Sequence, residues 1–214
     1  MREIERLLPE EIEKRSFEII SQELADRGIC LPKEEERITK RVIHASADFD
    51  YTKTLTYSKG AVNIAKELLL NGADIVTDTN MALAGIHKKT LAYFGGEAHC
   101  FMADETVARL AKERGSTRAA VSMEVAAKLA KPTIFAIGNA PTALIRLYEM
   151  MQTKEWKPDF VIGVPVGFVN VEPAKELMME TDVPYIINRG RKGGSNIAAA
   201  ICNALLYELK GRDA

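Results

Sequence analysis

The chain is poor in cysteine, histidine and aromatic residues, and it carries no excess of either charge. Cys30, Cys100 and Cys202 form an odd set without CxxC spacing, which argues against a disulfide framework and a thiolate zinc site and points to a reducing compartment. His44, His87 and His99 show neither HxH nor HxxxH spacing, which gives no support for a protein-held metal, and no motif in the chain calls for a cofactor. With 29 Lys and Arg against 30 Asp and Glu, the formal charge is -1, and no global field draws in nucleic acid or an anionic membrane surface. Any anion binding must be local. No apolar run approaches the roughly 20 residues of a spanning helix. The stretch from Met1 to Arg15 is dense in charge and lacks the apolar segment of a signal peptide. A cytoplasmic protein is the expectation.

A hydrophobic content of 47% over 214 residues is enough for one core, so residues 1–214 are read as a single domain. The first third is helical in pattern. Pro9 and three glutamates open a helix that carries Ile12, Phe17, Ile20 and Leu24 to Gly28, and a second starts at Pro32 and runs through Ile38 and Val42 towards His44. Ser58 caps a third, which ends at Gly72. After Gly72 the grammar changes to short β-rich runs: Asp74 to Thr77, His99 to Met102, Thr133 to Ile137, Phe160 to Val164 and Tyr185 to Ile187. Helical segments follow at Thr106 to Arg114, Ala119 to Leu129, Thr142 to Met151, Ala174 to Met179 and Ser195 to Leu209, with Thr153 to Pro158 as a helix-to-strand connection. This pattern predicts an α/β fold: a three-layer α/β/α arrangement with a mainly parallel five-stranded sheet and extra N-terminal helices.

In such a sheet ligands bind beyond the carboxyl ends of the strands, where loops and helix amino termini converge. Arg189, Arg191 and Lys192 are interleaved there with Gly190, Gly193 and Gly194, ahead of a helix that Ser195 caps. These residues suit a cradle for carboxylate or phosphate, and they equally suit a surface loop whose glycines only make the turn. Neither GxxxxGK[ST] nor GxGxxG spacing is present. In Gly138 to Thr142, Asn139 is placed to cap the next helix and Pro141 to occupy its first turn, and capping alone explains the motif. Arg37, Arg41, His44 and Asp48 follow steps of four, three and four and share one helix face. An imidazole, titrating ordinarily near about 6.5, suits proton donation there, although a solvated polar face explains the spacing as well. His87 reads as a surface residue opening a Lys-rich turn, and His99 as a buried, hydrogen-bonded strand residue. Cys100 and Cys202 read as buried small hydrophobes, and Met150, Met151, Met178 and Met179 as packing residues.

Taken in order, Arg15-Ser16-Phe17, Arg41-Val42-Ile43-His44-Ala45, Gly115-Ser116-Thr117-Arg118-Ala119-Ala120, Ala136 to Leu144, Gly163 to Val169 and Arg189 to Ser195 form a specific set. The chain resembles the precorrin-8X methylmutase family, also called cobalt-precorrin-8 methylmutase, over nearly its whole length. It departs from the family at Ser116, where an Asn can stand, and over Ser46 to Tyr57, which follows no family pattern. The resemblance implies an isomerase of cobalamin biosynthesis. Its reaction is an intramolecular methyl migration in ring C of precorrin-8X or cobalt-precorrin-8, giving hydrogenobyrinate or cobyrinate without redox change. By the same resemblance His44 is the general acid, and Ser16 and Arg41 contact the substrate. Arg118, Arg189, Arg191 and Lys192 would then hold the acetate and propionate groups, with Asn139, Thr142, Gly193 and Gly194 completing the substrate-binding set. Any cobalt enters as part of the tetrapyrrole. The family forms homodimers, which implies a subunit interface that helps enclose the substrate. Two rivals stand beside this reading: a non-catalytic corrinoid carrier, and a phosphate- or nucleotide-using enzyme supported by the Gly190 to Ser195 loop alone.

Overall fold

The computed structural model describes residues 5–153 and 156–211. Part of the expected Thr153 to Pro158 connection, residues 154–155, lies outside them, as do the first four residues of the charged amino-terminal stretch. The chain opens with α1 (Pro9–Asp26), α2 (Glu36–Ser46) and the single turn α3 (Tyr51–Thr54), followed by β1 (Leu55–Tyr57) and α4 (Ala61–Leu70). Next come β2 (Asp74–Thr77), α5 (Asn80–Gly85), α6 (Lys88–Tyr93), β3 (Ala98–His99), α7 (Glu105–Glu113) and α8 (Arg118–Ala126). The last third holds β4 (Thr133–Ile137), α9 (Pro141–Met151), β5 (Phe160–Gly163), α10 (Val171–Met179), β6 (Tyr185–Asn188) and α11 (Ser195–Leu209).

The strands β2, β4 and β5 are buried along their whole length, as parallel strands covered on both faces must be. Alternation divides their side chains between two cores. Ile75, Ile134, Ala136, Phe160, Ile162 and Ile186 face a layer built chiefly from α2, α4 and α11. Val76, Phe135, Ile137, Val161 and Ile187 face α8, α9 and α10. The three-layer α/β/α expectation therefore holds. The helix α11 is apolar almost all round because it lies between the sheet and α2, and α1 packs outermost on α2 through Ile20, Leu24 and Ile43.

The sheet has six strands, not five, in the order β1-β6-β5-β4-β2-β3. The sixth strand, β1, runs antiparallel to β6 with Thr56 opposite Ile187. Its three residues are too few to show a period of two, and its partner lies more than a hundred residues away. Ser58 does not cap α4; its hydroxyl accepts the Tyr185 N–H at 2.8 Å, and Gly60, with φ 69°, sits at the cap. The strand expected over His99 to Met102 is Ala98–His99 only. The chain leaves β2 there to reach α7, whose first turn is capped by the Asp104 carboxylate, accepting from the Thr106 and Val107 N–H groups. Among the described residues, no helix is long and apolar enough to cross a membrane.

Candidate active site

The order of strand addition reverses between β2 and β4, the switch point at which open α/β sheets form a ligand crevice. Here that crevice is filled by the chain itself. The buried carboxylate of Asp78, next after β2, accepts the N–H groups of Gly138 at 2.9 Å, Asn139 at 2.8 Å and Ala140 at 2.6 Å. Burial pushes the Asp78 carboxyl up, and the three N–H groups offset only part of that rise. Asn139 does not cap α9: Ala140 is the cap residue, and the Asn139 side chain is exposed. The N–H groups that could meet a phosphate at this switch point are thus occupied by an internal carboxylate. Ser195 is likewise not a cap. Gly194 holds that position, and the Ser195 hydroxyl is 2.8 Å from that of Thr79.

The Arg189 to Ser195 loop turns its carbonyls inward. The Arg189 carbonyl accepts from Asn188 Nδ2 at 3.1 Å, Gly190 from Lys175 Nζ at 2.7 Å, and Arg191 from the Gly167 N–H at 3.2 Å. The Lys192 carbonyl accepts from both Lys175 at 2.9 Å and Asn188 at 2.8 Å. Gly193 is packed so closely that a Cβ would lie 2.0 Å from the Val164 carbonyl oxygen, and the Gly194 N–H donates to that oxygen at 2.9 Å. With the backbone held this way, Arg189, Arg191 and Lys192 are exposed. The Arg191 guanidinium lies 5.5 Å from the ring centre of Phe168, which is 83% exposed, and 3.8 Å from Glu172. Lys192 bonds Asp48 and Asp50, each at 2.6 Å, and lowers the Asp48 carboxyl below its ordinary range.

These two aspartates follow α2, and so they tie the His44 end of that helix to the loop. Asp48 does not share the face of His44, because α2 ends at Ser46 and Ala47 turns the chain with φ 53°. His44 lies exposed in the last turn of α2. Its ring stacks on Phe17 at 5.4 Å with planes 23° apart, and the Arg41 guanidinium lies 4.8 Å from the same phenyl ring. Arg41 is paired with Glu13 and mostly covered, whereas Ser16 and His44 line one groove of about 400 Å³ with Ile19, Ile20, Arg27 and Phe49. The structure therefore gathers Ser16, Arg41 and His44 on the α1–α2 pair.

Arg118 and Thr142 stand elsewhere. Thr117 caps α8 by accepting the Ala120 N–H and bonds the Thr142 hydroxyl at 3.0 Å, leaving Arg118 exposed as the first residue of the helix. Thr117 and Thr142 line a groove of about 440 Å³ that shares no residue with the one at His44. The other two histidines are structural and half-buried: His87 accepts the Thr90 N–H at the start of α6, and His99 sits 3.2 Å from the buried Asp74. Cys100 is half-buried rather than buried, while Cys202 is buried and its thiol is pushed up to about 12.

Sequence reasoning missed three residues that shape this region. Phe17 supports both Arg41 and His44. Asp78 was signalled by an acid directly at the carboxyl end of the strand run Asp74 to Thr77. Lys175 was signalled by a lysine on the stripe Val171, Ala174, Met178 that α10 buries; it is 0% exposed, and burial pulls its ammonium down to about 8.

Residues 11–208 match the family model for precorrin-8X methylmutase. The cobalt-precorrin-8 methylmutase of Salmonella typhimurium is 44% identical, covering 94% of this chain and 96% of its own. That of Priestia megaterium is 40% identical, over 92% and 87%. The crystal structure of a precorrin-8X methylmutase from Thermus thermophilus superposes with a TM-score of 0.84 at 35% identity, over 94% of this chain and 98% of that one.

Proposed function

The chain belongs to the precorrin-8X methylmutase family, and from that premise we infer that it is an isomerase of cobalamin biosynthesis that shifts a methyl group within ring C of its tetrapyrrole substrate. The observation that carries the assignment of roles is the Lys192 pairing with Asp48 and Asp50. It joins the end of α2 that bears His44 to the loop that bears Arg189 and Arg191, so a proton donor and a set of carboxylate-binding cations share one edge of the molecule.

In this reading His44 protonates a ring nitrogen of the macrocycle. The positive charge withdraws electron density from the receiving ring C carbon. The bond from the methyl group to one ring C carbon breaks as the bond to the adjacent ring C carbon forms, and the proton is then returned. The formula of the substrate is unchanged and no electrons enter or leave. A positioned acid accounts for roughly 10²–10⁴-fold; orientation supplies much of the rest. Arg41, Arg118, Arg189, Arg191 and Lys192 are the residues assigned to the acetate and propionate groups, with Ser16, Asn139, Thr142, Gly193 and Gly194 completing the contact surface. Each charge-assisted contact is worth about 1.5–3 kcal/mol where it is partly desolvated.

The groove at His44, about 400 Å³, is too small to enclose a four-ring macrocycle. A homodimer in which a second copy covers the substrate answers that shortfall, and it gives a use to Arg118, at the start of α8, and to Thr142 in its separate groove. Residues 1–214 act in this reading as one methylmutase domain of a cytoplasmic enzyme. The test is to mix the protein separately with metal-free precorrin-8X and with cobalt-precorrin-8 and follow the visible spectrum. Conversion of either substrate supports the mutase and tells which form it prefers. Binding of both without conversion would leave a corrinoid carrier instead.

A further inference from the structure

Lysine is poorly suited to burial, since removing an ammonium from water is unfavourable unless it is well bonded. Lys175 is nevertheless 0% exposed. Packing does not require it, because an unbranched apolar side chain such as Met would fill the same space on the buried face of α10. Its Nζ donates to the carbonyls of Gly190 and Lys192, at 2.7 and 2.9 Å. These carbonyls flank Arg191, in a reversal where Gly190 has φ 72°. From the β6 side, Asn188 clasps the same turn through the Arg189 and Lys192 carbonyls, and its own Oδ1 is fixed by the Thr54 hydroxyl at 2.6 Å.

We propose that Lys175 is a positioning residue for substrate binding, which fixes the turn that presents Arg189 and Arg191 to the carboxylates of the macrocycle. Its two bonds hold the Gly190 and Lys192 carbonyl dipoles inward, away from where an anionic group would dock. Released, those oxygens would turn towards the same solvent as the arginines and oppose the carboxylates they attract. The inference rests on the loop being the carboxylate site.

The experiment is a titration of the protein with a free-carboxylate corrinoid, hydrogenobyrinate, read by absorbance, in a double-mutant cycle of Lys175→Met with Arg191→Ala. Lys175→Met is expected to weaken binding about tenfold or more in the otherwise unaltered protein and less than about threefold once Arg191 is gone, since it acts through the loop. In turnover, the loss should fall on KM more than on kcat. Lys175→Gln, which keeps an uncharged donor and guards against a Met variant that does not fold, should lie between wild type and Met. Equal weakening in both Arg191 backgrounds, or a Met variant that folds and binds as tightly as wild type, overturns the role. If the wild-type protein fails to bind the corrinoid at all, the reading of the loop as a carboxylate site fails first and this inference with it.

Discussion

The phenyl ring of Phe17 carries His44 on its plane and Arg41 within cation–π range, so among the described residues the proposed acid is oriented by packing on Phe17. Removing the imidazole should therefore cost chemistry and little else. His44→Ala is expected to lower the single-turnover rate by about 10²–10⁴ while corrinoid affinity changes less than about threefold. Near-normal turnover would end the acid assignment. Lys175 offers a different test, through pH. Its ammonium is held down to about 8 in the fold and returns to about 10.5 on unfolding, so between those values the unfolded chain binds more protons. The burial penalty is present in full below about pH 8 and lifts as pH rises towards 10.5. The stability of wild type relative to Lys175→Met should accordingly increase with pH across that window, measured by urea unfolding. A flat difference would mean that the ammonium is not desolvated.

At the scale of elements, the loops beyond the strands are bound to one another more than to solvent. Asp78 joins β2 to α9, Thr79 meets Ser195 on α11, and Gly193 lies against the Val164 carbonyl at the end of β5. Gly193→Ala would drive a Cβ into that oxygen, so it should destabilise the protein by about 1–3 kcal/mol and raise KM, read by thermal melting and steady-state kinetics. An unaltered melting temperature would show that the loop yields. The same cross-links explain what was and was not legible in the sequence. Long amphipathic segments such as α2 and α9, and the largely apolar β4, follow from local pattern because each meets apolar packing along its length. The caps proposed for Ser58, Asn139 and Ser195 failed because each position has a tertiary partner, respectively Tyr185, Asp78 and Thr79. No local rule contains those partners. β1 was invisible for the same reason, since its only pairing is with β6 at the other end of the chain. The candidate site was legible at Ser16, Arg41 and His44 through the family resemblance, and the supports beneath them were not.

Over the whole molecule, charge is balanced, and the assigned residues fall in separate places, with Thr142 lining one groove near Arg118 at the start of α8 and Ser16 and His44 lining another. One chain has no described contact that links the two grooves, whereas a macrocycle with carboxylates around its rim needs partners on several sides. A two-fold dimer resolves this if the α8 end of one copy faces the α1–α2 end of the other, because an isologous contact makes two such composite sites at once. The protein should then sediment as a dimer at micromolar concentration. The sharper consequence concerns mixed dimers. His44→Ala and Arg118→Ala would each be nearly inactive alone, yet in a mixed dimer one site would carry both lesions and the other neither. Equal amounts, dissociated and reassociated at random, should recover about a quarter of wild-type turnover, since half the dimers are mixed and one site in each is intact. No recovery, with mixed dimers demonstrated by differential tagging, would mean that His44 and Arg118 serve the same subunit's site and that the second copy does not supply the missing wall.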